Sequence, residues 1–381
     1  MSYSMHFHLM LCSRKGHIKM TQTSDNRDVS PPVSARPRRT IKQRLFRLLV
    51  IGSLFLAGLL LNGLLYGLSF QAIASAVDSA RNPAPGKLVD VGGYRLHINC
   101  TGTGSPTVIL DAGLGGTSLD WSKVQPAVTR FTRVCSYDRA GYGWSETASG
   151  APRTSQQIVT ELHLLLTRAQ IHGPYVLVGH SFGGLNMRLY AYRYPADVVG
   201  MVLLDATSEH QFASFGTHPA YFPPQAVGAV AQQLQAFSVA AHFGVGRMAL
   251  HSGLFPLEDF AAYPSAVKPI LLAHASQTRY YSTQHDEYAA LQESAAQVRA
   301  ARLARPSYGT LPLIVLSKDD AQDRLAEGQQ LAATWDALQQ DIASLSSNSQ
   351  HIVAQHSGHY IHLDRPDLVI TAIQSVWQQA R

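Results

Sequence analysis

Ser181 lies in the stretch 175–190, YVLVGHSFGGLNMRLY, between the sheet-forming residues Tyr175, Val176, Leu177 and Val178 and a run of helix formers carrying Leu185, Met187, Leu189 and Tyr190. A serine at such a strand-to-helix corner takes an unfavourable backbone angle. The helix also passes so close to the strand that glycines are needed beside it. Gly179, Gly183 and Gly184 meet that need. This Gly-x-Ser-x-Gly elbow presents a hydroxyl nucleophile and leaves the N–H of the next residue, Phe182, free to bind an oxyanion.

A serine hydroxyl needs a base to take its proton, most often a histidine that a carboxylate orients. With 17 histidines in the chain, position has to decide. His359, in SGHYIHLDRPDLV, follows the last strand-like run and precedes the final helix, at the same sheet edge as Ser181. His180, His210, His356 and His362 lack that placement or adjoin the key residues, and His180 reads as packing. For the acid, Asp320 follows one strand-like run in LPLIVLSKDDAQD and Asp205 ends another in MVLLDATSEH; Asp319 is a near neighbour of the first. All three fall at the same edge, so placement alone leaves the acid open.

The elements that must position these groups follow from the apolar pattern. Strand-like runs occupy 87–91, 94–99, 107–111, 132–137, 175–179, 200–205, 312–317 and 351–355, the first two joined by a tight turn at Gly92-Gly93. Helical spacing places Ile158, Leu162, Leu165 and Leu166 on one face, and Val369, Ile373, Val376 and Trp377 on another after Pro366. A hairpin followed by alternating strands and helices predicts an α/β fold with an eight-stranded, mostly parallel sheet covered on both faces. About a hundred residues separate the sixth and seventh strands, too many for a loop. Residues 206–309 therefore read as a mostly helical cap inserted into a core of 87–205 and 310–381. Aromatics such as Phe237, Tyr280 and Tyr281 fill the cap's own core or line an apolar pocket.

Charge is unevenly placed. Residues 1–47 hold ten Lys or Arg against two Asp, a net +8 of the chain's +6, which leaves −2 for the rest. A basic arm ahead of a near-neutral domain argues for a membrane-flanking bias and against nucleic acid as a partner. No residue from 48 to 77 is charged, and 48–70 is long and apolar enough to span a bilayer as one helix. The cluster Arg36 to Arg47 just before it predicts a cytoplasmic N-terminus and an extracytoplasmic domain, with 71–86 as linker. Ala74-Ser75-Ala76 resembles a signal-peptide cleavage site, but the apolar stretch exceeds a usual signal core, which favours an uncleaved anchor. Gly63 and Gly67 form a GxxxG pair able to pack two such helices together.

From about residue 87 onward the chain resembles the α/β-hydrolase superfamily. The motifs that carry the resemblance are Gly179-His180-Ser181-Phe182-Gly183, the segment Asp138-Arg139-Ala140-Gly141-Tyr142-Gly143-Trp144-Ser145, and Gly358-His359. Ser181, the candidate acids Asp205 and Asp320, and His359 follow one another in the fold's triad order of Ser, Asp, His. The resemblance implies Ser181 as nucleophile, His359 as base and an acid after the seventh strand, Asp320. Some members place the acid after the sixth strand, so Asp205 remains the second choice. Where relatives usually carry His-Gly after the third strand, this chain has Ala112-Gly113, with Leu114 offering the second oxyanion N–H. The 138–145 segment reads as a turn supporting that loop, without a catalytic role. The fold's strand order also makes neighbours of the second and fourth strands and so brings Cys100 and Cys135 together, as a disulfide or as two reduced thiols.

The expectation is a membrane-anchored serine hydrolase acting on an apolar ester. No metal-ligand cluster, phosphate-binding loop or nucleotide fingerprint competes, so no cofactor or metal is expected. Serine at the elbow argues against epoxide hydrolases and haloalkane dehalogenases, whose chemistry needs Asp there. A proline-iminopeptidase-like amide hydrolase and a non-catalytic, membrane-tethered binding module are the alternatives.

Overall fold

The computed structural model describes residues 40–148, 150, 152–214, 224–254, 257, 260–319 and 326–381. Alternation along the central strands sets the layers. Val176 and Val178 of β5 (Tyr175–His180) face one way with Val202, Leu204, Ile314 and Leu316; Leu177 faces the other way with Ile109, Leu203 and Val315. Both faces are buried, as expected of strands that are apolar at every position. The sheet runs β1 (Lys87–Asp90), β2 (Arg95–Thr101), β4 (Val134–Tyr137), β3 (Thr107–Asp111), β5, β6 (Val198–Leu204), β7 (Leu313–Ser317), β8 (Ser349–Val353). It is an α/β-hydrolase fold in which β2 is antiparallel to both its neighbours and the remaining pairs are parallel.

Two helices, α2 (Ser155–Arg168) and α3 (Phe182–Arg193), bury Ile158, Leu162, Leu165 and Leu185 against one face. Val369, Ile373 and Val376 of the last helix (Pro366–Gln379) cover the other. The chain leaves β3 toward β4 and leaves β5 toward β6, on opposite sides. A crevice therefore opens beyond the carboxyl ends of β3 and β5, where sheets of this type bind ligands.

Cys100 and Cys135 are directly paired in the β2–β4 register and form a disulfide.

The helix α1 (Ile41–Arg81) is long and apolar enough to cross a membrane. It carries on past residue 70 through residues that read as linker, because 71–81 are helix formers and the first Pro comes at 83. Met1–Ala57 and Gly58–Arg381 form two separate units; in the first, the described residues 40–57 are helical from Ile41 and all exposed.

Among the described residues, five helices of seven residues or more lie between β6 and β7: α4 (Pro224–His242), α5 (Val245–His251), α6 (Lys268–Ala275), α7 (Thr278–Ala289) and α8 (Leu291–Ala304). Buried polar bonds tie this segment to the connections that follow β3 and β4. Arg139 donates to Glu287 at 2.7 Å through Nε, and Tyr263 donates to Asp120 at 3.1 Å.

Candidate active site

Ser181 sits between the end of β5 and the start of α3, at φ +51° and ψ −120°. A side-chain-bearing residue holds that conformation only where its surroundings over-determine it. Here the Ser181 N–H donates to Leu204 O at 3.0 Å, and its carbonyl accepts from Gly184 and Thr207. The glycines are steric necessities. A Cβ on Gly183 would lie 2.4 Å from the Asp111 carbonyl oxygen, and one on Gly184 would lie 2.5 Å from the Ala206 methyl. Phe182 is in the first turn of α3, so its N–H has no intrahelical acceptor.

His359 lies on the loop after β8, and its Nδ1 is 2.6 Å from Asp205 Oδ2. Asp205 is fully buried just beyond β6. Its Oδ1 accepts from the Trp335 indole at 2.6 Å and from the Lys318 N–H at 3.2 Å. Because the carboxylate only accepts, His359 carries its proton on Nδ1 and presents Nε2 as the free base. The carboxylate that meets His359 is thus the second choice from the sequence. Asp320 lies outside the described residues, and Asp319 turns its carboxylate to the His356 N–H at 2.9 Å. Ser181, His359 and Asp205 line one cavity of about 300 Å³ together with Phe182 and Leu114.

The oxyanion loop is held from beneath. Buried Arg139 donates to Ala112 O at 2.7 Å, Gly113 O at 2.8 Å and Asp111 at 2.9 Å. In a trans peptide the carbonyl and the following N–H point in opposite directions, so fixing Gly113 O turns the Leu114 N–H away from Arg139. Glu287, reaching down from α7, accepts from the same guanidinium and from the Tyr142 hydroxyl. The segment 138–145 therefore supports the loop through one side chain that sequence reasoning did not single out. The available signal was Arg139 standing within the Asp138 to Ser145 motif, directly after the fourth strand.

His180, read as packing, has a further contact. Its Nε2 lies 2.9 Å from the carbonyl oxygen of His359, which makes Nε2 the protonated nitrogen. Burial pushes His180 well below the usual imidazole range, and burial likewise pushes neighbouring His362 down to about 3. His359 accordingly works beside two uncharged imidazoles.

A second cavity of about 310 Å³ adjoins the first and shares Gly113, Leu114, Tyr288 and Tyr360 with it. Cap residues Leu234, Phe237, Leu250 and Leu271 make it mainly apolar. Its floor holds Asp120, whose carboxyl is pushed up to about 7 by burial. A cation-binding cluster is conceivable at Glu209, His210 and Asp341, but Arg188 and Arg302 already neutralise its carboxylates at 2.6–3.0 Å.

The profile of the alpha/beta hydrolase family matches residues 108–372, well over half the chain. The chain belongs to that family. It is 29% identical over 292 residues to the uncharacterised protein YqjL of Bacillus subtilis (strain 168), covering 76% of this chain and 91% of that one. Among solved structures it resembles the Cif epoxide hydrolase from Acinetobacter nosocomialis (TM-score 0.62, 16% identity, 81% of this chain and 96% of that one). It also resembles a thermophilic esterase from Thermogutta terrifontis (TM-score 0.55, 20% identity, 77% and 98%). At those identities the structures establish the fold. Family membership supports a hydrolase of small molecules.

Proposed function

We propose that this hydrolase is a membrane-anchored serine carboxylic-ester hydrolase, with Ser181 as nucleophile, His359 as base and Asp205 as the orienting carboxylate in place of Asp320. The observation that carries the reading is the 2.6 Å contact between His359 Nδ1 and Asp205, in one cavity with a strained Ser181. Ser181 Oγ attacks the ester carbonyl as its proton passes to His359 Nε2. The tetrahedral oxyanion accepts from the Phe182 and Leu114 N–H groups. Collapse breaks the ester C–O bond, and His359 protonates the departing alcohol. Water, deprotonated by His359, then attacks the acyl-enzyme, and the acid leaves with Ser181 restored.

Serine also separates this chemistry from that of epoxide-opening relatives. Attack by Oγ on an epoxide would give an ether, which water does not cleave under these conditions, whereas attack on an ester gives an acyl-enzyme that it does. An aminopeptidase-type reading would require an ionised carboxylate for a free amine. Among the described residues lining the two cavities, the carboxyl other than Asp205 is Asp120, which burial disfavours as an anion and which Tyr263 already holds.

The helix α1 supplies the anchor. The basic cluster before it, and a disulfide in the domain after it, support an extracytoplasmic catalytic domain. Labelling of the membrane-bound protein with a fluorophosphonate tests the catalytic reading. An adduct on Ser181, absent in Ser181→Ala, is the expected result; a folded protein without an adduct overturns it.

A further inference from the structure

The anchor helix does not end where a bilayer would. A hydrocarbon core takes about 20 residues of helix. Counted from the first residue of the uncharged run, Leu48, that length ends near residue 67, while the run continues to Val77. The cap meets α1 at this level. Gly67 is buried, and a Cβ there would lie 2.7 Å from the carbonyl oxygen of Phe243, at the corner between α4 and α5. Of the GxxxG pair, Gly63 has nothing within 4 Å, so one glycine of that pair serves the cap.

Farther along, Gln71 is buried and donates to Ser276 O at 2.7 Å while accepting from Arg247 Nε at 3.2 Å. Arg247 also pairs with Asp78 at 2.5 Å. These bonds fix α5 against the helix just beyond the level of residue 67.

The two sides of α5 differ in what they face. Gly246, Ala249 and Leu250 line the apolar chamber next to the catalytic cavity. Arg247, Met248 and His251 line an outer groove of about 620 Å³ against Tyr66, Phe70 and Ile73 of α1. Residues 224–254 carry a single charged side chain, Arg247, and it is turned inward to Asp78. Leu234, Phe237 and Leu250 turn inward to the chamber, while four other large apolar side chains point outward: Val239 is 59% exposed, Val245 48%, Met248 56% and Leu254 72%. Residues 224–254 thus offer a surface with no exposed Asp, Glu, Lys or Arg of their own, Arg81 of α1 standing at the far end of the groove; fixed beside a membrane-spanning segment at the level where the hydrocarbon ends, it matches the interfacial layer of a bilayer in depth and composition.

We infer that the α4–α5 corner of the cap docks into the headgroup layer of the bilayer beside the anchor helix, and that α5 is the partition across which a membrane-resident amphiphilic ester reaches the catalytic chamber. The inference rests on the membrane-anchored ester-hydrolase reading above. The phospholipid bilayer itself is the partner. The substrate class is then an ester with an apolar chain sized for the chamber.

The test uses the full chain, with Cys12→Ser, in phosphatidylcholine vesicles. A single cysteine at Met248→Cys carries an environment-sensitive fluorophore, with Leu254→Cys as a second position and Leu60→Cys as a control inside the span. Quenching of the 248 and 254 probes by lipids spin-labelled near the headgroup, with protection from aqueous iodide, is the expected result. Iodide quenching without lipid quenching at both positions overturns the docking. If the Leu60 probe escapes lipid quenching, the anchor reading is what fails.

A second arm compares Val245→Glu/Met248→Glu with the parent. Turnover of a long-chain ester held in vesicles is expected to fall by about tenfold while that of a soluble short-chain ester stays within about twofold, because only membrane contact is lost. Equal rates for parent and variant on the vesicle ester overturn the delivery route. The quenching is read without turnover, so failure of the ester-hydrolase reading, seen in the fluorophosphonate experiment, stays distinguishable.

Discussion

Oδ2 of Asp205 lies 2.6 Å from Nδ1 of His359, and Asp205 itself holds a left-handed φ of +42°. Aspartate tolerates that region better than most residues, yet the conformation still costs of order 1 kcal/mol. It is kept by the bond from the Asp205 N–H to Leu316 O at 2.7 Å and by the Trp335 indole on Oδ1. Strain at Ser181 and at Asp205 thus falls on two of the three groups proposed to act together. Strain of this kind, held by surrounding bonds, is a mark of preorganisation.

Asp205→Asn tests the pairing. An asparagine can turn its amide N–H to His359 and so force the imidazole into the tautomer that cannot accept the Ser181 proton. A fall in kcat of about 10³- to 10⁴-fold is expected, with KM little changed, by analogy with triads in which the acid is so replaced. Asp320→Asn is expected to stay within a few-fold of the parent. Ester turnover on variants with native circular dichroism decides between them, and the opposite ranking would return the role to Asp320.

Arg139→Lys tests the support beneath the oxyanion loop. A lysine is a point charge and cannot hold the Ala112 and Gly113 carbonyls while also meeting Asp111 and Glu287. The Leu114 N–H then loses its fixed direction. The expected result is a drop in kcat of about ten- to a hundredfold at nearly constant KM, since one oxyanion donor is misaimed and none of the substrate-binding surface is removed. A folded variant that loses stability with kcat intact would instead assign Arg139 a purely structural part.

Much of this site was legible in the sequence because its local rules are strong. The elbow at 179–184 needs small residues wherever a Cβ would strike backbone, and His359 follows a strand and precedes a helix. The acid was harder to read. Asp205, Asp319 and Asp320 all follow strands at one sheet edge, and reaching His359 depends on a left-handed turn after β6 and on Trp335 arriving from a distant helix. The role of Arg139 was hidden for the same reason, since its partners come from Ala112, Gly113 and Glu287. The extension of α1 to Arg81 follows helix formers that run up to Pro83, but the partners that Gln71 and Asp78 find in the cap are announced by no local pattern.

Asp120 makes stability depend on pH with a definite sign. Its carboxyl is raised from 3.8 to about 7 by burial, so the fold favours the protonated form. That contribution is fully present below about pH 4 and is lost as pH rises through about 7. Asp120→Asn, which keeps an acceptor for Tyr263, is expected to flatten this fall and to be more stable than the parent at pH 8 by up to about 4 kcal/mol. Denaturant titrations at pH 5 and pH 8 measure it. A variant less stable than the parent at pH 8 would show that Asp120 is ionised and favourably paired.

The Cys100–Cys135 bond ties stability to compartment. It joins directly opposed residues of β2 and β4 across a sequence separation of 35, and in the chain-entropy view such a loop contributes about 3–4 kcal/mol. The double variant Cys100→Ser/Cys135→Ser is expected to lose about that much in denaturant titrations. The same bond reports which side of the membrane the domain occupies, since it forms and persists in an oxidising space. Alkylation of denatured membranes without reductant is expected to modify Cys12 alone, and prior reduction to expose two further thiols. Three reactive thiols before reduction would place the domain in a reducing compartment and reverse the proposed orientation.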